Sequence, residues 1–188
     1  MGITTEHIET DKKELRRQVK ARKAEMPADL RNRLSDEICR LVMQSYAWQQ
    51  AKVVLLYMSM TDEVNTATLI RQAWNNGKTI LLPTCVGDDL VLRVYEGDEH
   101  LRVGAYGIVE PTGRIFGEEE YGAISLVVVP GMAFDKNGGR LGRGRGFYDR
   151  LLPKLQACRK IGVCWGCQMV DKVPVKENDV RMDEVISI

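Results

Sequence analysis

The chain has 188 residues, 44% of them hydrophobic, with 27 basic and 26 acidic side chains and a formal net charge of +1. That size suits one folded domain, and the near-neutral charge supplies no global field for nucleic acid. No run reaches the roughly 18 apolar residues of a membrane span, the opening MGITTEHIETDKKELRR lacks an apolar leader core, and five irregularly spaced cysteines point to a reducing, cytoplasmic setting rather than a disulfide framework.

Residues 1–10 read as a disordered tail, followed by a single domain over residues 11–188. From Asp11 to about Ser45 the pattern is helical in two pieces divided by Pro27. Asp11 with Glu14 three residues on resembles a capping box, and Leu15 and Val19 form a thin apolar stripe on a strongly basic helix. Leu30, Leu34, Ile38, Leu41 and Val42 repeat at helical spacing in the second piece. AKVVLLYMSM is then a short continuous apolar run, as a buried strand requires. TATLIRQAWNNGK reads as a helix closed at Asn76-Gly77, TILLP as a strand, and LVLRVYEG, which alternates, as an edge strand. AISLVVVPGMAF reads as one buried strand, GFYDRLLPKLQAC as a short helix, and KIGVCWGC and MDEVISI as the last strands. Strands alternating with helices predict a three-layer α/β fold, with a mainly parallel central sheet flanked by helices and a basic helical segment at the N-terminus.

GGRLGRGRGFYDR, from Gly138 to Arg150, carries four arginines and five glycines between the strongest strand and a helix. Glycine lets backbone amides approach a ligand, arginine offers a fixed cationic fork for phosphate or carboxylate oxygens, and the strand's carboxyl end is where open α/β sheets bind ligands. The spacing is neither of the two common phosphate loops. A solvated basic turn and a nucleic-acid segment are the competing readings, and the near-zero net charge counts against the second. Asp149 suits a Mg²⁺ ligand, since that ion takes oxygen donors and accompanies nucleoside phosphates; it equally suits an ion pair with Arg150 or Arg145.

PGMAFDKNGGRLGRGRGFYDRLL closely resembles the signature of the 5-formyltetrahydrofolate cyclo-ligase family. The resemblance extends from about Lys12 onward through KKELRRQVKAR, MSMTDEVNTATLI, GKTILLP, YGIVEP and VPVKENDVRMDEV, in the family's order. It implies an ATP- and Mg²⁺-dependent closure of 5-formyltetrahydrofolate to 5,10-methenyltetrahydrofolate, with ADP and phosphate released. It also implies small-molecule substrates, no nucleic-acid or membrane partner, and a monomer or weak homodimer. Residue by residue, it makes Lys12, Arg16, Arg140, Leu141, Gly142, Arg143, Gly144, Arg145, Gly146, Phe147 and Tyr148 the ATP site, with Arg145 and Tyr148 catalytic. Met58, Glu63 and Tyr106, with Arg143, Gly144, Arg145, Gly146 and Phe147, match the folate site, and Asp149 and Asp179 match the Mg²⁺ ligands.

Read alone, these residues have plainer fates. Lys12 and Arg16 would be a solvated helix face, Met58 strand core, Glu63 a helix cap or surface acid, and Asp179 a turn residue. The family's Tyr-Tyr-Asp is Phe147-Tyr148-Asp149 here, which removes one hydroxyl, and Thr84-Cys85 stands where some members have a basic residue and an aromatic. An ATP-binding protein of the same fold acting on another acceptor is the alternative function. The C-x-x-C of Cys164 to Cys167 offers a dithiol redox reading, but the sequence after it is a poor helix start, so these cysteines are expected to pack at a strand end.

Overall fold

The computed structural model describes residues 5–104, 107–176 and 179–188, with side chains from residue 7 onward. Pro27 does divide the first two helices: α1 spans Thr5–Ala24 and α2 spans Ala28–Gln44 with Pro27 at its N-cap, and the ring disfavours helical backbone in the residue before it. α1 starts before Asp11, which lies inside the helix rather than at its cap, so residues 5–10 of the expected tail are helical. Acidic residues suit the first turns of a helix because the free amides there are partially positive. Glu9 is fixed further by Lys176, whose Nζ lies 2.6 Å from its carboxylate.

The remaining elements follow in chain order: α3 Tyr46–Gln50, β1 Val53–Leu55, α4 Ala67–Asn75, β2 Thr79–Val86, β3 Asp89–Val94, β4 Leu101–Val103, β5 Val109–Pro111, β6 Leu126–Val129, β7 Ala133–Phe134, β8 Arg140–Leu141, α5 Phe147–Leu151, β9 Arg159–Cys164 and β10 Glu184–Ser187. The central sheet has the order β10-β9-β6-β1-β2-β3. All its pairings are parallel except β2 with β3, which makes β3 the edge strand its alternating sequence predicts.

Both faces of the sheet are covered, and the pleat sorts the side chains between them. Val54, Leu82, Val128 and Ile161 point with Ile38, Leu69 and Trp165 into one core, under α2, α3 and α4. Their chain neighbours Leu55, Leu81, Val127 and Val129 point to the other side, against Leu151, Leu152, Leu155, Phe116 and Tyr121. That double burial is why these strands read as unbroken apolar runs.

One expected strand is two. β6 ends at Val129, and the chain then turns through Pro130-Gly131 into a separate antiparallel hairpin of β7 and β8. Proline cannot donate to a ladder, and a side chain at position 131 would strike the Phe134 ring at 2.6 Å. The break leaves an opening beyond the end of β6. Because β1 sends the chain to β2 on one side and lies beside β6 on the other, this opening falls where the strand order reverses, the usual ligand position in such sheets.

Candidate active site

A cleft of about 310 Å³ occupies that opening. Tyr57, Met58, Met60 and Glu63 reach it from the turn after β1, Pro83 and Cys85 from the end of β2, and Glu110 from β5. Much of the remaining wall is the glycine-arginine segment: Arg140, Gly142, Arg143, Arg145, Gly146, Phe147, Tyr148 and Asp149.

Local chemistry explains how that segment is held. Gly138 turns the β7–β8 hairpin at φ 78, and any side chain there would collide with the Met182 carbonyl. Asp135, 2% exposed, accepts from the backbone N–H groups of Asn137, Gly139 and Val173 at 2.8, 2.9 and 2.8 Å. Burial alone would raise its carboxyl, but the three amides outweigh it and hold the pKa below the ordinary aspartate value. Gly146, at φ 71, caps α5 in the left-handed region that other residues avoid.

The cations of α1 meet the loops along a single face. Glu9, Lys12, Arg16, Val19 and Lys23 follow the spacing of a buried helical stripe. Val19, with Leu15 beside it, supplies the hydrocarbon and packs on Met132, Ala133, Leu141 and Val173. Lys12, 9% exposed, donates to Asp179 Oδ2 at 2.8 Å; Arg16 Nε donates to the Gly142 carbonyl at 2.9 Å; Lys23, 3% exposed, donates to Asp62 Oδ2 at 2.8 Å. Lys12 is therefore not on a solvated face. Asp62 also accepts from Arg143 Nη2 at 2.5 Å, while Arg143 Nε donates to Glu63 Oε1 at 3.0 Å. Burial opposes ionisation of Asp62, but the Arg143 and Lys23 hydrogen bonds prevail and hold its pKa at about 2.

Asp149 pairs with Arg140, while Arg150 pairs with Asp89. Asp149 Oδ1 accepts from Arg140 Nη2 at 2.6 Å, and the Arg140 guanidinium lies 5.4 Å from the centre of the Tyr148 ring. Burial, then the charge of Glu63, raises the Tyr148 hydroxyl pKa above the ordinary phenol value. Asp179 keeps its turn role as well as its ion pair, accepting from the Lys176 N–H at 2.8 Å. The Lys176 ammonium is bound to Glu9. Among the described residues no group of three or more His, Cys, Asp or Glu forms a metal cage. Two hard carboxylates do fit Mg²⁺, which commonly takes one or two from the protein and the rest of its oxygens from phosphates and water.

The structure thus gathers Met58, Glu63 and most of residues 140–149 around one cleft. Leu141, 1% exposed, turns its side chain into the small core beneath α1 and leaves only its backbone to a ligand. Gly144 faces Arg16, whose Cζ lies 3.6 Å from where a side chain would begin. Lys12, Arg16 and Asp179 flank the loop rather than line the cleft. Tyr106 lies outside the described residues. Sequence reasoning missed Lys23, Asp62, Glu110 and Asp135. The stripe spacing of α1 signals Lys23, and FDKNGG carries an aspartate-turn signature for Asp135; nothing local marks Glu110.

The two cysteines of C-x-x-C are packing residues. Cys164 is fully buried with Sγ 3.6 Å from Met169 Sδ, and Cys167 Sγ lies 3.1 Å from Met26 Sδ. Burial pushes Cys164 up to about 12 and raises Cys167 as well, which keeps both as unreactive thiols at neutral pH.

Comparison with known proteins bears on this geometry. The profile of the 5-formyltetrahydrofolate cyclo-ligase family matches residues 8–187. Over 171 residues the chain is 31% identical to the probable 5-formyltetrahydrofolate cyclo-ligase of Schizosaccharomyces pombe, covering 81% of this chain and 83% of that protein. It is 29% identical over 192 residues to the 5-formyltetrahydrofolate cyclo-ligase of Mus musculus, covering 95% and 94%. The NMR structure of Aquifex aeolicus 5,10-methenyltetrahydrofolate synthetase superposes with a TM-score of 0.82 at 31% identity, covering 94% of this chain and 89% of that one.

Proposed function

This chain belongs to the 5-formyltetrahydrofolate cyclo-ligase family, and from that premise we propose that it converts 5-formyltetrahydrofolate to 5,10-methenyltetrahydrofolate with cleavage of ATP to ADP and phosphate. The observation that carries the reading is the contact between Arg143 and Glu63 at 3.0 Å, across 80 residues of sequence. It joins the loop that resembles the family's ATP segment to the acid that matches its folate position, which supports a reading in which both substrates would be held at one cleft.

The chemistry accounts for the residue types. A formamide carbonyl is a weak electrophile, and its oxygen is a poor leaving group. In the proposed reaction that oxygen attacks the γ-phosphorus of ATP and ADP departs. N10 then attacks the activated carbon, phosphate leaves with the former formyl oxygen, and N10 gives up its proton as the ring closes. Phosphoryl transfer asks a protein mainly for alignment and for compensation of negative charge. Arg143 and Arg145, with the backbone N–H groups around Gly142, Gly144 and Gly146, would hold the phosphates, and Lys12 and Arg16 would support them from α1. Arg140 is committed to Asp149 and the Pro130 carbonyl, which suits a residue that shapes the loop while contributing its charge. Tyr148, kept protonated by burial, is suited to donate a hydrogen bond to a developing phosphoryl charge. Glu63 is suited to accept from the amino-pyrimidinone edge of the pterin, with Met58 and Phe147 against the ring. Asp149 and Asp179 would hold Mg²⁺, which when bound adds charge neutralisation at the phosphates.

The test follows the near-ultraviolet absorbance of methenyltetrahydrofolate with full-length protein, 5-formyltetrahydrofolate, ATP and Mg²⁺. Growth of that band that requires both ATP and Mg²⁺ is the expected result. Protein that binds ATP yet forms no product would move the reaction to another acceptor. Protein that binds no ATP would return the loop to a basic turn.

A further inference from the structure

The cleft has a third carboxylate, beside Glu63 and Asp149, that this reading leaves without a role. Glu110, in the middle of β5, is 5% exposed and lines the cleft beside Cys85, Leu90 and Ile108. Its Oε1 accepts from the Cys85 backbone N–H at 3.0 Å. That bond has an evident structural purpose, since Cys85 lies in the part of β2 beyond the reach of short β1 and needs an acceptor on that side. Oε2 has no hydrogen-bond partner among the described residues. Gly104 leaves it room, because any side chain at that position would run into this oxygen.

A carboxylate desolvated to this degree is costly unless its oxygens are bonded. Capping one amide requires only a neutral carbonyl, which a glutamine supplies, so the charge and the second oxygen exceed the structural need. Glu110 lines the same cleft as Cys85 and the loop cation Arg145. Glu63 sits elsewhere, on the turn after β1. The two acids therefore line the cleft from different elements.

We propose that Glu110 is a substrate-recognition residue whose carboxylate accepts a hydrogen bond from an N–H of the reduced folate, while Glu63 reads the amino-pyrimidinone edge. The inference rests on the proposed function and extends it from one acid to two. A ligand that offers this N–H gains a charge-assisted hydrogen bond that a ligand without it does not.

Glu110→Gln tests it, because the amide oxygen still accepts from Cys85 while the charge is gone. Titration of the full chain with 5-formyltetrahydrofolate alone, and separately with ATP alone, is accompanied by thermal unfolding. The expected result is a folate Kd raised about 10- to 100-fold, as for loss of one charge-assisted hydrogen bond, with ATP affinity and melting temperature unchanged. Glu110→Asp, which keeps the charge but withdraws it by one methylene, should fall between wild type and Glu110→Gln. Unchanged folate affinity in Glu110→Gln overturns the proposal. So does a parallel loss of folate affinity, ATP affinity and melting temperature, or failure to fold, since each makes the side chain a structural cap only. Wild-type protein that binds ATP but no folate sinks the proposed reaction and this inference with it. Wild-type folate binding that Glu110→Gln leaves intact sinks the inference alone.

Discussion

Two short stretches dominate the sequence to the eye, the glycine-arginine loop of residues 142–146 and the C-x-x-C of residues 164–167. The fold treats them in opposite ways. The loop leaves the sheet through the Pro130-Gly131 break, its arginines 143 and 145 are exposed at the rim of the cleft, and its geometry is set by Gly146 at φ 71 and by Arg16 on the Gly142 carbonyl. Cys164 ends β9 and half-buried Cys167 sits in the turn that follows it, and burial raises both thiols. A conspicuous motif acquires chemistry only where the backbone delivers it to solvent and to oppositely charged partners; buried in hydrocarbon, the same reactive atoms are packing.

The largest test of this contrast is Arg145→Ala. Removing one preorganised cation from a phosphoryl-transfer site should lower turnover about 10²- to 10³-fold, while stability changes by no more than about 0.5 kcal/mol, because the residue is on an exposed loop. Single-turnover absorbance and a chemical melt measure the two; an unfolded variant would make the loop a structural element.

Asp135→Ala should do the reverse. Three backbone N–H groups lose their acceptor in a buried turn, costing about 3 kcal/mol of stability, and activity should fall only through loss of folded protein. The same residue predicts a pH effect. Its folded pKa lies below its unfolded value, so its contribution is fully present above the ordinary aspartate range near about 4 and is lost as pH falls through the lower folded value. Acid titration of Asp135→Asn should lack that component; a profile identical to wild type would remove Asp135 as the anchor.

Asp149→Asn should raise the Mg²⁺ concentration for half-maximal activity by about tenfold, as outer-sphere and ligand losses at metal sites commonly do. An unchanged Mg²⁺ requirement would leave Asp149 solely as the partner of Arg140. The smallest effect belongs to the other half of the comparison. Cys164→Ala with Cys167→Ala should cost about 1 kcal/mol of stability, from the cavity left at Cys164, with kcat untouched. Loss of turnover in a folded double variant would restore the dithiol reading.

Much of the fold is legible in the sequence because its causes are local or nearly so. Continuous apolar runs mark strands buried on both faces, alternation in LVLRVYEG marks the edge strand β3, and Asn76 with Gly77 at φ 66 closes α4. The split of AISLVVVPGMAF was less visible, since Pro130 and Gly131 interrupt a run whose hydrophobicity continues to Phe134. The extra turns of α1 before Asp11 were hidden because Glu9 is held by Lys176, a residue distant in sequence.

By itself the sequence determined the α/β class, the alternation of strands and helices, and the family resemblance carried by the glycine-arginine loop. Tertiary structure alone decided which charges meet. Lys12 reaches Asp179 across 167 residues, and Arg143 reaches Glu63 across 80. Those meetings follow from β6 lying beside β1 and from α1 crossing the β7–β8 hairpin. Strand order is fixed by how whole faces bury one another, and no local period encodes it. A short-range pattern therefore names the candidate residues, and only packing assigns the partners that give each of them a role.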